Sequence, residues 1–208
     1  MTIKDSWSML YESRKVIREN FPNFWKVTVQ KKPMYAIKNV ITEKMNVLDV
    51  GSYNRGLKDK LKNYCNDFTY KSMDIDRSKE HDYYSFEDIK EKFDIVFLFE
   101  VIEHLDLTNG VDMLKNIHNV LKIGGKIVLT TPNVFHPNRY WESTHKVSYR
   151  YDEIGGLLSY VGFDVKNIFR IYNDSFFKRF VRLYITSYIH EYFSVDFAKS
   201  ILIIGEKD

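Results

Sequence analysis

The sequence predicts an α/β fold, doubly wound and confined to a single domain, on three observations. Val47-Leu-Asp-Val-Gly-Ser52 is a short apolar run broken by Asp49 and halted by Gly51. That is the pattern of a buried strand turning sharply at its carboxyl end. A Lys-rich segment follows at once, with Leu57 and Leu61 on one helical face, so the unit reads strand, glycine turn, helix. Apolar runs then alternate with helical patterns to the end of the chain, without an internal repeat or a linker. Such alternation specifies one layered sheet with helices on its faces.

Length and composition agree with this reading. The 208 residues fit one domain, divided into an N-terminal helical segment (1–45), a core (46–171) and a C-terminal helix with a closing strand (172–208). Thirty-one Lys+Arg against twenty-eight Asp+Glu leave a net charge of +3, too balanced to indicate a nucleic-acid partner. Cys65 is the single cysteine, which excludes an internal disulfide framework and any Cys-based zinc site. It reads as a thiol of a reducing compartment. No apolar run approaches membrane-spanning length, and Met1-Thr-Ile-Lys-Asp5 lacks a signal peptide's apolar core. A cytoplasmic protein without a transmembrane segment is expected, its oligomeric state left open.

Taken in order, Trp7, Leu10, Tyr11, Arg14, Ile17 and Arg18 fall at helical spacing until Asn20-Phe-Pro22 stops the pattern. A second helix is predicted over Lys32–Thr42. These helices either pad the sheet edge or cover the site, whose ligands must be shielded from water. Strands are predicted at 46–50 and 69–74, with a very short third unit in 83–87. The clearest strand is Phe93-Asp-Ile-Val-Phe-Leu-Phe99. An amphipathic helix over 111–121 is expected to end at Lys122-Ile-Gly-Gly125 as a C-cap. A strand at 126–131 stops at Thr131-Pro-Asn133. Residues 134–148 form a long polar-aromatic loop, and long loops in compact domains are often functional. A helix at 151–161, a strand at 163–171, a helix at 174–193 and a closing strand at 199–205 complete the reading.

Two features carry chemistry. Asp74, in Met73-Asp-Ile-Asp76, stands where an acid of such folds can accept both ribose hydroxyls of a nucleoside-containing cofactor. Glu100-x-x-Glu103-His104 would place two carboxylates and an imidazole on one face if a helix began at Glu100. Acids that close require a cation or a proton between them. Two Glu and one His suit Mg²⁺ or Mn²⁺, with a fourth ligand from His136 or His145. Alternatively, Glu103 and His104 cap and pack the helix start.

In order along residues 44 to 170, Val47-Leu-Asp-Val-Gly51, Met73-Asp-Ile-Asp76, Phe93-Asp-Ile-Val96, Glu100-Val-Ile-Glu-His-Leu105, Leu121-Lys-Ile-Gly-Gly-Lys126 and Thr130-Thr-Pro-Asn133 resemble the successive motifs of class I S-adenosylmethionine-dependent methyltransferases. The resemblance implies a Rossmann-like, seven-stranded, mostly parallel sheet whose last strand, from 199–205, is antiparallel. It implies S-adenosylmethionine as cofactor. Asp49 and Gly51 would line the methionine portion, Asp74 would take the ribose, and Ser85 and Phe86 would flank the adenine. Ser52, Gly56 and Ile75, on the same turns, complete the implied cofactor set. Members carry three alternating glycines after the acid, whereas Tyr53 and Arg55 stand at two of those places here. A different loop path is therefore expected.

Glu100-x-x-Glu103-His104 with the distant Thr144-His-Lys146 is further similar to the small-RNA 3′-end 2′-O-methyltransferases, where the corresponding residues bind Mg²⁺. The ubiquinone-pathway O-methyltransferases carry a similar Glu-x-x-Glu-His. On that resemblance Glu100, Glu103, His104 and His145 hold the divalent metal, and His104 or His145 accepts the proton. Methyl transfer requires the acceptor oxygen in line with the sulfonium, and a divalent ion would lower that oxygen's pKa and fix its direction. Chelation by two adjacent oxygens points to a vicinal diol or a catechol.

Arg139, Tyr140, Trp141, His145, Tyr149 and Arg150 supply aromatic faces and polar groups that suit sugar rings, nucleobases or phenols, or simply close the loop over the core. Residues 176–192 suit a core or dimer interface, a substrate pocket, or an anionic membrane or phosphate. The expectation is methylation of a sugar hydroxyl in a glycan or sugar conjugate. It rests on the lack of a basic RNA-binding appendage and of any apolar tunnel visible in the sequence. Alternatives are a catechol, quinone-precursor or RNA 3′-end acceptor, a metal-free transferase using His104 as base, and a non-catalytic cofactor-binding subunit.

Overall fold

The computed structural model describes residues 7–138 and 142–208. Its centre is a seven-stranded sheet in the order β1-β6-β7-β5-β4-β2-β3, formed by Thr28–Gln30 (β1), Met45–Val50 (β2), Phe68–Met73 (β3), Phe93–Phe99 (β4), Leu121–Pro132 (β5), Phe163–Ile171 (β6) and Ser200–Lys207 (β7). The pairs β1–β6, β2–β3, β2–β4 and β4–β5 are parallel, and β7 runs antiparallel to both β5 and β6. The mostly parallel sheet with a reversed last strand is therefore observed.

Period-two alternation in β4 explains why the sheet is buried on both faces. Val96 and Leu98 pack with Leu114 and Ile117 of α4 (Leu107–Val120) and Ile154 and Leu158 of α5 (Tyr151–Val161). Ile95 and Phe97 face the opposite way, against Ile37 of α2 (Pro33–Ile37) and Leu57 and Leu61 of α3 (Gly56–Leu61). Each such fully buried aliphatic side chain contributes about 2 kcal/mol.

The N-terminal helix α1 (Trp7–Asn20) lies on α5 rather than on the sheet edge. Gly155 and Gly156 permit this: a Cβ on Gly156 would come 2.6 Å from Arg14 Cγ, and one on Gly155 3.1 Å from Ile17. Buried Asp152 fastens the pair through Arg14 and Arg18 at 3.2 and 2.7 Å.

Four local expectations are corrected. The unit at 83–87 is no strand: it makes one parallel bridge, Met73 to Tyr83, and a 3₁₀ turn over Phe86–Asp88. The seventh strand comes instead from β1, on the far edge, where the sequence suggested only helices. α2 spans just Pro33–Ile37, not Lys32–Thr42. Gly124 and Gly125 do not cap α4, because Leu121 is already extended. They form an irregularity inside β5, where Phe93 pairs with Leu121 but Ile95 pairs with Lys126 and Gly124 has φ +72°. The segment 174–193 is helical in three short runs: α6 (Phe176–Phe180), a π-turn (Val181–Ile185) and α7 (Ser187–Tyr192).

Candidate active site

The expected cofactor-binding residues gather at the carboxyl edge of the parallel strands. Asp49, buried near the end of β2, accepts a 2.6 Å hydrogen bond from the Tyr70 hydroxyl of β3. Burial pushes its carboxyl up to about 6, against the Tyr70 hydrogen bond and with the help of the Asp74 charge. At Gly51 the chain turns with φ +73°, and its N–H donates to the Met73 carbonyl at 2.9 Å. A Cβ there would lie 2.3 Å from Val101 Cγ2, so only glycine fits.

The loop after Gly51 carries two left-handed residues. Tyr53 and Arg55 have φ of +45° and +59°, so the left-handed conformation recurs at the alternating positions where glycines were expected. Both residues thus take a backbone conformation that glycine adopts freely. For L residues that conformation costs about 1–2 kcal/mol each, offset here by specific contacts. The Tyr53 N–H donates to Asp74 Oδ2 at 2.9 Å and its ring lies under Lys79 Nζ. Arg55 is paired with Asp82 at 3.0 Å.

Asp74 Oδ1 also accepts the Asp76 N–H at 3.0 Å, leaving each Asp74 oxygen a further lone pair for a ligand hydroxyl. Ser52 Oγ lies 3.1 Å from His81 Nδ1 in a buried pair. Gly56 opens α3, and its N–H is held by Asn54 Oδ1. Ile75 is almost wholly exposed. Ser85 caps the 3₁₀ turn that begins at Phe86, sharing a capping box with Asp88.

The second group lies beyond β4. Ligand atoms of Glu103, His104 and His145 all fall within 4.8 Å of one another. The two imidazole rings meet edge to face with centroids 4.8 Å apart. Backbone bonding joins the two loops: the Glu103 carbonyl accepts the N–H groups of Lys146 at 2.8 Å and Val147 at 3.2 Å. Glu103 is buried, and Thr131 Oγ1 donates to its Oε2 at 3.3 Å. Burial first, and the Glu100 charge second, push its carboxyl up to about 8. Without a cation it is predominantly neutral near pH 7.

This convergence does not arise from a shared helix face. Glu100 has φ +53° and is not helical. Residues Ile102–His104 make a 3₁₀ turn, and α4 begins only at Leu107, capped by Asp106. Glu100 is outside the three-residue group. Desolvation holds its carboxyl above the usual carboxylate range, opposed in part by the neighbouring His145 and His104. His136 is not in the group either; its Nδ1 accepts the Asn138 N–H at 3.1 Å.

Beside this cluster lies an apolar cavity of about 620 Å³, lined by Trp7, Leu10, Tyr11, Leu107, Val147 and Leu157 among others. It shares the Val147 wall with the Glu103–Lys146 backbone contacts. No apolar tunnel is visible in the sequence, and the structure adds this apolar recess. The recess is assembled from α1, the start of α4, α5 and one loop, residues far apart in the chain.

The sequence profile of the methyltransferase-domain family matches residues 17–170, well over half of the chain. The chain belongs to the methyltransferase-domain family. Solved structures share the fold of this methyltransferase domain. An S-adenosylmethionine-dependent methyltransferase from Archaeoglobus fulgidus superposes with a TM-score of 0.61 at 18% identity, covering 95% of this chain and 94% of that one. One from Mesorhizobium loti gives 0.58 at 10% identity, covering 85% and 98%. The N-methyltransferase NodS from Bradyrhizobium japonicum WM9, solved with S-adenosyl-L-homocysteine, gives 0.56 at 16% identity, covering 84% and 83%. Comparison with curated protein sequences finds no significant match.

Several residues of this methyltransferase domain carry no signal in the sequence alone. Tyr70 reaches Asp49 only because β3 lies beside β2, with Asp49 opposite Ser72. Thr131 meets Glu103 through the end of β5. Asp82 gathers Ser72, Lys71 and Arg55 beneath the glycine loop. Of the aromatic loop, Arg139, Tyr140 and Trp141 lie outside the described residues. Among the described residues no helix is long and apolar enough to cross a membrane.

Proposed function

We propose that the chain is an S-adenosylmethionine-dependent O-methyltransferase assisted by a divalent cation and acting on one of two adjacent hydroxyls. The observation that carries this reading is the convergence of Glu103, His104 and His145 within 4.8 Å, at the strand edge that also holds Gly51 and Asp74. The donor assignment rests on family membership and on that shared edge. The structural neighbours described with the donor or its product, NodS among them, are consistent with it.

The donor set suits a borderline divalent ion. One carboxylate and two imidazoles favour Mn²⁺ over Mg²⁺, which prefers oxygen ligands and keeps its water. Glu100, coupled electrostatically to both histidines, is the candidate for a fourth ligand. Such an ion, when bound, supplies Lewis acidity that lowers the acceptor hydroxyl's pKa. The residues do the remainder. Glu103, neutral when alone, would become the carboxylate partner of the cation, with Thr131 orienting it. Whichever of His104 and His145 keeps a free nitrogen would accept the acceptor's proton. Asp49, Gly51 and Asp74, with Ser52, Gly56, Ile75, Ser85 and Phe86 around them, would hold the donor so that its methyl faces the cluster.

A sugar of a glycan or sugar conjugate remains one acceptor reading. The apolar cavity beside Val147 favours a second, a catechol-type ring with an apolar body. Methyl transfer from labelled donor to a methyl glycoside and to a simple catechol, each with Mn²⁺ and with EDTA, tests both. Transfer to either acceptor that EDTA abolishes and Mn²⁺ restores supports the proposal. Transfer that survives exhaustive EDTA treatment overturns the role of the cation.

A further inference from the structure

The segment from Phe176 to Phe193 is built inside out. On its protein-facing side Arg182 is paired with Asp174 and stacked 3.7 Å over Phe197. His190 packs on the same ring, 5.0 Å between centroids, and lies 3.1 Å from Thr186 Oγ1. The apolar residues point outward instead: Phe177, Phe180, Tyr184, Tyr188, Tyr192 and Phe193 are all exposed, Tyr192 to 82%. An ordinary surface helix has the opposite arrangement, and a contiguous aromatic face of this extent marks a binding surface.

We propose that this face docks flat on an anionic lipid bilayer. Three of the six residues are tyrosines spread along the stripe, and the interfacial zone of a membrane takes the ring into the acyl boundary while the hydroxyl stays wet. In a dry contact between protein copies, each phenol would need its own partner. Charge points the same way. Lys178 is exposed and Arg179 part-exposed in the first half of the segment, and Glu191 is the single acid from 176 to 193, whereas Arg182 is turned inward onto Asp174. Aromatic residues with flanking cations are the composition of an interfacial helix. No helix among the described residues can span a bilayer, so the segment would lie in the plane of the surface.

Position adds a consequence. The segment connects the carboxyl end of β6 to Ser200 at the start of β7. The docked segment would thus lie on the same stretch of chain that leads into the closing strand. The inference does not depend on the acceptor or on the cation.

Flotation with phosphatidylcholine vesicles, with and without an equal part of phosphatidylglycerol, tests it. The wild-type chain should float with the phosphatidylglycerol vesicles, less so as NaCl is raised, and remain at the bottom with phosphatidylcholine alone. The triple variant F177S/Y184S/Y188S should lose roughly a hundredfold in partitioning, with far-UV circular dichroism confirming that it folds. Should it not fold, Phe176→Ser at the start of α6 and Lys178→Glu serve instead, each expected to weaken partitioning several-fold. Failure of the wild type to float overturns the proposal, as does equal flotation of the variants. So does a wild-type dimer in sedimentation equilibrium that the variants dissolve without any vesicle binding.

Discussion

Tyr70 donates its hydroxyl to Asp49 at 2.6 Å across two neighbouring strands, and this bond keeps a buried carboxylate tolerable beside the expected donor. Asp49 in the folded chain titrates near 6 rather than 3.8, so the folded state holds its proton more tightly than the unfolded state. The associated stability is complete below about pH 4 and is lost as pH rises through 6, amounting to about 3 kcal/mol. Calorimetric melts should show this decline, and Asp49→Asn should flatten it. Tyr70→Phe removes an interaction that favours the ionised form, so it should lower stability above pH 6 by about 1–3 kcal/mol and leave pH 4 nearly unaffected.

Gly51→Ala should destabilise the chain and abolish donor binding together. Positive φ and a Cβ 2.3 Å from Val101 act at one point, with an expected cost of about 2–4 kcal/mol. Pairing it with Val101→Ala, which makes room but cannot relieve the backbone strain, should restore part of the loss. Isothermal titration with S-adenosylhomocysteine and a thermal melt read the two effects separately.

Manganese should raise the melting temperature at pH 7.5 by roughly 5–10 °C at a hundredfold excess over its dissociation constant. His145→Ala and Glu103→Gln should each abolish most of that shift, because each removes one of three converging ligands. His136→Ala should leave it intact. An equal shift in all four proteins would mean that the ion binds elsewhere.

Asp152 is fully buried beneath Arg14, Arg18 and Arg150. Asp152→Ala should cost about 2–3 kcal/mol, discounted from a fully buried network because the arginines are partly exposed. Hydrogen exchange should accelerate over residues 7–20 before any other helix, since α1 is held against α5 at this point.

Much of the architecture was legible because apolar periodicity and glycine turns are local signals. Phe93–Phe99 and Tyr151–Val161 were located to the residue, as strand alternation and the Gly162 stop are self-sufficient. β1 was not legible: Thr28–Gln30 has no pattern of its own and is a strand only because β6 offers a free edge. The conformation of the glycine loop was not legible, because it depends on Asp74 and Asp82 holding Tyr53 and Arg55 at positive φ, which their side-chain identities do not encode. At the candidate site, Glu103 and His104 were recognisable from residue type and spacing, while residue type left His136 and His145 equal and only the family resemblance singled out His145. The meeting of Glu103, His104 and His145 through a 3₁₀ turn and a backbone clasp, without Glu100, depended on tertiary context that spacing does not encode.

β1 also has a colloidal consequence. A parallel sheet normally leaves a long comb of unpaired amides along its outer rim, where strands of neighbouring molecules can zip on. On the β1 side that rim offers just three residues, Thr28 to Gln30, too short a template for stacking molecules along that side. A chain lengthened at that rim by designed β-formers should be the one that turns cloudy on standing.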